Sequence, residues 1–251
     1  MERLIAGARK LGFDLSQQQV DSFQRYYEEL VCWNSRVNLT AIVDYGEVQL
    51  KHFLDSLTVA LCLEDAPYLV LDVGTGAGFP GLPLKLLRSS IRLSLLESRE
   101  KKTAFLRHVI AVLDLEGVEV ITGRAEDFAR DPRYRDRFDY VLSRGVARLS
   151  TLVELCLPFC AVGGSLVAQR KGDVEGEIRA AAKAVEALGG RVRQVKWVDL
   201  DELGERRALL VIGKCVSTPQ RYPRRAGIPQ KRPLGHTKGE GGRRPLVEDR
   251  D

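Results

Sequence analysis

The chain has 251 residues, 44% of them hydrophobic and 29% charged, with a formal net charge of +5. That apolar content supports a packed core and excludes wholesale disorder, and no run of uncharged apolar residues is long enough to span a membrane. Five scattered cysteines and three histidines, with no C-x-x-C pair, supply no zinc ligand set and no disulfide framework, so reduced thiols and no bound metal are expected. The segment Met1 to Lys10 has no apolar run of the kind a secretory signal carries, which points to a cytoplasmic protein. The charge is uneven. Residues 214–251 hold ten Lys/Arg and four Asp/Glu, a net of +6, and the rest of the chain is nearly neutral. A basic tail suits a polyanion such as nucleic acid, the plain alternative being a solubilising tail.

Residues 1–65 read as a helical cap. Ser16 and Gln19 have the spacing of a capping box, after which Val20, Phe23, Tyr27, Leu30, Val31 and Trp33 recur near helical period. A second amphipathic helix is expected over Glu47 to Cys62. From Tyr68 short apolar runs alternate with amphipathic segments. Strands are expected at Tyr68–Val73, Ile91–Leu96, Val118–Ile121, Phe138–Ser143, Ser165–Gln169, Val192–Val198 and Ala208–Ile212. Helices are expected between them at 80–88, 100–115, 125–130, 149–160 and 173–188. This alternation predicts an α/β domain over 66–214, a doubly wound, mostly parallel seven-stranded sheet. Only Asp199–Arg207 separates the last two strands, too short for a helical crossover, so they should pair antiparallel. Residues 215–251 form a basic, Pro-rich tail. Its span 217–234 holds four prolines, five basic residues and no acid, which forbids a regular helix or central strand. The final residues, 235–251, are expected to be disordered.

The chemistry concentrates where the first strand ends, in Val70-Leu71-Asp72-Val73-Gly74-Thr75-Gly76-Ala77-Gly78-Phe79-Pro80-Gly81. A buried strand followed by closely spaced glycines makes a loop that a nucleotide-type ligand can approach, with Pro80 suited to a first helical position. Gly76 to Gly81 match the dinucleotide pattern G-x-G-x-x-G. The glycines nevertheless begin at Gly74, directly after the strand, and Asp72 would disfavour a pyrophosphate while helping to hold a cationic amino acid. Both features favour S-adenosylmethionine. Glu97 ends the second strand about 20 residues later, where an acid can accept hydrogen bonds from ribose hydroxyls. After the third strand, Gly123-Arg124-Ala125-Glu126-Asp127-Phe128 offers a backbone amide and an acid for an adenine edge, or simply a helix cap. Arg144 ends the fourth strand beside the same crevice, where it could meet a cofactor carboxylate or a nucleic acid. Cys156 and Cys160 lie one helical turn apart and read as core.

These residues resemble a known family. Cys32-Trp33-Asn34 with Asn38-Leu39-Thr40, Lys51-His52-Phe53-Leu54-Asp55-Ser56-Leu57, the glycine loop with its trailing Phe-Pro-Gly, Ser143-Arg144-Gly145, Lys171-Gly172 and Tyr222-Pro223-Arg224-Arg225-Ala226-Gly227-Ile228-Pro229 are similar to the RsmG (GidB) family. That family methylates guanine N7 in small-subunit ribosomal RNA. The resemblance implies a class I (Rossmann-like) methyltransferase fold with an N-terminal helical cap and S-adenosylmethionine as cofactor. The implied partner is 16S ribosomal RNA or a small-subunit ribosomal particle, met by a monomer. It places cofactor contacts on Gly74, Phe79, Ala125, Glu126 and Arg144. With Asp72, Gly76, Gly78 and Glu97 these make up the expected cofactor site. N7 of guanine has a free lone pair and no proton, so no general base is expected.

Arg148, Lys171, Arg221, Arg224, Arg225, Lys231 and Arg232 are the candidates for holding RNA. Removing everything after Lys214 is expected to weaken RNA binding and to leave cofactor binding nearly unaffected. Two rivals remain on the sequence alone: a dinucleotide-dependent reductase, and a non-catalytic RNA-binding protein with a vestigial nucleoside pocket.

Overall fold

The computed structural model describes residues 1–145 and 147–235. Of the end expected to be disordered, 235–251, all but Gly235 lies outside the described residues. Two helices open the chain, α1 (Glu2–Lys10) and α2 (Gln17–Asn34). The capping box forms: Gln19 N–H donates to Ser16 Oγ, and Ser16 N–H donates to Gln19 Oε1 at 2.9 Å. The same glutamine also donates from Nε2 to the carbonyls of Leu86 and Leu87, which end a helix of the sheet domain.

The amphipathic segment expected over Glu47–Cys62 is helical but not one α-helix. It runs through α3 (Tyr45–Glu47), a π-helix (Val48–Leu54), α4 (Asp55–Leu57) and a 3-10 helix (Thr58–Cys62). The physical reason lies in its burial. Val48, Gln49, Leu50, His52, Phe53 and Leu54 are all buried, more nearly consecutive residues than one α-helical face can turn inward.

The alternating part follows as β1 (Leu69–Val73), α5 (Gly81–Leu87), β2 (Arg92–Glu97), α6 (Glu100–Val112), β3 (Val118–Thr122), α7 (Ala125–Phe128), β4 (Phe138–Arg144), α8 (Leu149–Cys156), β5 (Cys160–Arg170), α9 (Val174–Ala187), β6 (Gly190–Val198) and β7 (Arg207–Lys214). The sheet order is β3-β2-β1-β4-β5-β7-β6. Pairing is parallel from β3 to β5, while β7 runs antiparallel to both β5 and β6. The order reverses at β1 and β4, so the crevice for a ligand lies at their carboxyl ends. β5 begins five residues before the expected Ser165, because Cys160 already pairs with Phe138 across a bulge.

Two cores hold the layers. One joins the cap to the sheet: Leu4, Phe23, Tyr26 and Phe53 pack in one cluster with Val70, Leu93, Leu142 and Val167. The other lies on the opposite face, where α8 and α9 cover β1, β4, β5 and β7. Cys156 and Cys160 are fully buried there, and burial pushes both thiols up, Cys160 to about 12. They are inert core residues at neutral pH.

The basic tail, up to residue 235, packs against the body. Thr218 is buried and donates to Leu188 O at 2.7 Å. Arg135 clasps the segment, donating to the carbonyls of Thr218 (2.6 Å), Tyr222 (3.0 Å) and Ala129 (2.9 Å). A last short helix, α10 (Ile228–Lys231), carries Pro229 in its first turn, where a missing N–H costs little. The carbonyls of a proline-rich segment need donors, and Arg135 supplies them from a buried position. Arg135→Met should therefore lower the free energy of unfolding by about 3 kcal/mol, since each stranded carbonyl costs about 1–3 kcal/mol. Urea denaturation at neutral pH measures this, and an unchanged midpoint would refute the clasp.

Candidate active site

A cavity of about 460 Å³ opens at the carboxyl ends of β1 to β4. Gly74 follows β1, Glu97 ends β2, Gly123, Ala125 and Glu126 follow β3, and Arg144 ends β4, and all of them line it. The four strands thus bring together residues as far apart as 74 and 144, as parallel pairing requires. Its size falls in the range of small-ligand pockets.

Glu97 is 7% exposed. Its carboxylate accepts from Gly76 N–H at 3.1 Å and from Arg99 N–H at 2.9 Å. The acid therefore ties the tip of the glycine loop to the start of α6. A carboxylate has about four acceptor positions, so capacity is left for ribose hydroxyls. Gly76 lies at φ 63, and a Cβ there would meet only Lys102 Nζ, at 3.8 Å. Lys102 lines the cavity, and Gly76 itself sits just behind that lining.

Arg144 is held from the cap. Its Nη1 donates to Asp55 Oδ2 at 3.0 Å and to Lys51 O at 3.3 Å, and its guanidinium lies 5.2 Å from the centroid of the Phe79 ring. Asp55 accepts on its other oxygen from Arg207 Nε at 2.7 Å. Arg144 has further N–H groups for an anion in the cavity.

Four of the expected cofactor residues, Asp72, Gly76, Gly78 and Phe79, are not among the residues that line the cavity. Asp72 is fully buried, and its Oδ2 accepts from Thr75 Oγ1 at 2.6 Å and Gly81 N–H at 2.8 Å. It fastens the glycine turn rather than reaching the cavity. Because it also occupies the amino end of α5, the place a pyrophosphate would take is already filled, which disfavours the dinucleotide reading. Gly78 faces the cap: a Cβ there would sit 2.5 Å from both Leu82 Cδ1 and Tyr26 Oη. Its lack of a side chain serves packing. Phe79 is 5% exposed and stacks on His52, with ring centroids 4.6 Å apart, and on Tyr26.

The RNA candidates also separate. Arg148 is exposed at the start of α8, and Arg221, Arg225, Lys231 and Arg232 are exposed on the tail. Lys171 is half exposed and pairs with Glu205 at 3.1 Å. Arg224 departs from the expectation of an RNA contact. It forms a bidentate pair with the fully buried Glu154, Nη2 to Oε2 at 2.6 Å and Nε to Oε1 at 2.9 Å. A carboxylate at that depth needs a cation, and Arg224 is the one that reaches it.

Several lining residues were not among those the sequence singled out. Arg99 and Lys102 could have been found from their place in the first turn after Glu97. Thr151, Pro229 and Gln230 could not, because only the fold brings α8 and the tail to this edge.

Two buried titratable groups flank Arg144. His52 is 8% exposed, and its Nε2 shares a hydrogen bond with Thr40 Oγ1 at 2.8 Å. Burial, then the Arg144 guanidinium, push its pKa from 6.5 down to about 4. Burial pushes the Asp72 carboxyl from 3.8 up to about 6, against the hydrogen bonds from Thr75 and Gly81. Acidification below pH 6.5 protonates His52 first in the unfolded chain, so stability falls toward pH 4. Asp72 gains its proton first in the folded chain, so below pH 6 it acts in the opposite sense. Each effect is worth up to about 3 kcal/mol. His52→Gln should make the protein gain stability relative to wild type as pH drops from 6.5 to 4. Asp72→Asn should make it lose stability over the same range. Urea titrations at several pH values test both, and parallel curves for all three proteins would contradict these assignments.

The geometry has clear relatives. The family model described as GidB, rRNA small subunit methyltransferase G, matches residues 19–207. The ribosomal RNA small subunit methyltransferase G of Dehalococcoides mccartyi (strain CBDB1) is 51% identical over 234 residues, 93% of this chain and 100% of that protein. The protein of the same name from Roseiflexus sp. (strain RS-1) is 50% identical over the same shares. Among solved structures, the O-methyltransferase from Bacillus cereus in complex with SAH superposes with a TM-score of 0.53 at 20% identity, covering 75% of this chain and 90% of that one. The fold is that of class I methyltransferases, and by the family model and the extent of these identities the chain belongs to the rRNA small subunit methyltransferase G family.

Proposed function

We propose that this protein transfers a methyl group from S-adenosylmethionine to N7 of a guanine in a loop of 16S ribosomal RNA. It works as a cytoplasmic monomer on the free RNA or on a small-subunit particle. The observation that carries this reading is the convergence of Gly74, Glu97, Ala125, Glu126 and Arg144 on one cavity in a chain of this family. Among the described residues no helix is long and apolar enough to cross a membrane.

The donor set fits the cofactor. Glu97 has acceptor capacity that the ribose hydroxyls would use, the turn at Ala125 and Glu126 would hold the adenine, and Arg144 has N–H groups that would bind the carboxylate. When bound, S-adenosylmethionine supplies an electrophilic sulfonium methyl group. The protein's own task is alignment. N7 carries its lone pair already, so no side chain has to take a proton, and orientation alone can supply roughly 7–11 kcal/mol of the barrier. Arg148, Arg225, Lys231 and Arg232 are exposed cations for the RNA backbone. Lys171 can join them by giving up its exposed pair with Glu205, an interaction worth at most about 1 kcal/mol.

The deciding experiment incubates the purified protein with labelled S-adenosylmethionine and either 16S RNA or small subunits, followed by mass spectrometry of the nucleosides. The product should be 7-methylguanosine at one site. No transfer, or a methyl on another atom, would overturn the proposal. Turnover should survive EDTA on RNA kept folded by monovalent salt, because attack by N7 needs no Lewis acid. Inhibition that a divalent metal reverses on folded RNA would contradict this.

Calorimetry tests the cofactor site directly. Gly76→Val should abolish binding, since a branched side chain fills the open side of the loop and is strained at positive φ. Glu97→Ala should weaken it by about 1.5–3 kcal/mol. Unchanged affinity in both variants would place the cofactor elsewhere.

A further inference from the structure

The tail does not merely rest on the body; it closes the cavity. Pro229 and Gln230 form part of the lining, although they lie 132 and 133 residues beyond Glu97. Three contacts fix them there. Arg224 enters the body to pair with the fully buried Glu154, and its backbone N–H donates to the same carboxylate at 2.8 Å. Gly227 N–H donates to Glu126 Oε1 at 2.9 Å. Thr151 Oγ1 donates to Pro229 O at 3.0 Å. Glu126 and Thr151 are themselves cavity residues, so the tail is bonded to the walls it completes.

We propose that Glu154 and Arg224 are positioning residues for the cofactor, through a strap that sets Pro229 and Gln230 against it. Neither side chain of the pair lines the cavity. Glu154 has no other role in the site, and a bare carboxylate in that core would be costly unless it held something in place. It holds the strap by three side-chain bonds and one backbone bond from a single residue. Arg221, Arg225, Lys231 and Arg232 are exposed along the same segment. One short stretch thus walls the cofactor cavity with some residues and presents cations to RNA phosphate with others. Displacing the strap opens the cavity. This inference rests on the reading of the cavity as the S-adenosylmethionine site.

The test uses the full chain and measures S-adenosylhomocysteine binding by calorimetry, with trypsin cleavage of the strap as a second readout. Glu154→Gln removes the charge that holds Arg224, whose guanidinium is partly exposed and can turn to water. Gly227→Pro is the second variant. It leaves the Glu154–Arg224 pair intact, but proline cannot adopt the φ of 79 found there and has no N–H for Glu126. Both should lower affinity about tenfold or more, with thermal unfolding of the ligand-free protein cooperative and retained. In wild type the ligand should slow trypsin cutting after Arg225 and Lys231, and in both variants that protection should be lost. Wild-type affinity in both folded variants, or cutting unaffected by ligand in wild type, overturns the proposal. Gly76→Val separates the two levels. If it abolishes binding while the strap variants bind normally, the cavity reading stands and the strap inference falls. If Gly76→Val also binds normally, both fall.

Discussion

Asp55 is 4% exposed and lies between two arginines, Arg144 from β4 and Arg207 from β7. Leaving a buried carboxylate without its partners costs about 3–5 kcal/mol, so neither arginine can turn away freely. The backbone around Asp55 is tied down as well, because Gln169 at the end of β5 donates to Asp55 O at 2.7 Å and to Thr58 Oγ1 at 3.1 Å. One residue, through its carboxylate and its main-chain carbonyl, therefore fixes the cap over the ends of three strands. The rest of the site follows from that constraint. Arg144 is presented to the cavity at a set angle, Phe79 lies under it, and His52 is pressed against Phe79 and kept neutral.

Much of the sheet was legible because its signals are local. A strand buried on both faces announces itself by a short apolar run, and all seven were found within a few residues. The antiparallel end of the sheet followed from the nine-residue spacing between two such runs. Glu97 was legible because its distance from the glycine loop is set by one β-α-β unit. The glycines were legible as a turn, but not in their separate duties. Nothing in a run of alternating glycines tells that Gly76 has open space beside it while Gly78 makes room for Tyr26 from the cap.

What stayed hidden depends on pairs far apart in the chain. Glu154 reads as one more polar residue in an amphipathic helix, and Arg224 as one of many cations in a basic tail. Only their meeting, 70 residues apart, shows that the tail is part of the body. The charge count was sound, but it treated every tail cation as equal, and Arg224 is spent inside the protein. The irregular helix over Tyr45–Cys62 was hidden for a different reason. Hydrophobic periodicity assumes one repeat, and here the backbone pattern changes three times within eighteen residues.

Gln19 carries a consequence for how the molecule comes apart. Its side chain completes the amino end of α2 and, through Nε2, the carboxyl end of α5, 67 and 68 residues away. A capping box is ordinarily a local device that a fragment can form by itself. In this chain the same amide also answers two carbonyls of another layer, so the carboxyl end of α5 is not complete until both layers have met. Fraying at the start of α2 exposes the end of α5. The amino-terminal layer and the sheet should thus exchange their amide protons as one cooperative unit rather than as a loose cover on a stable base.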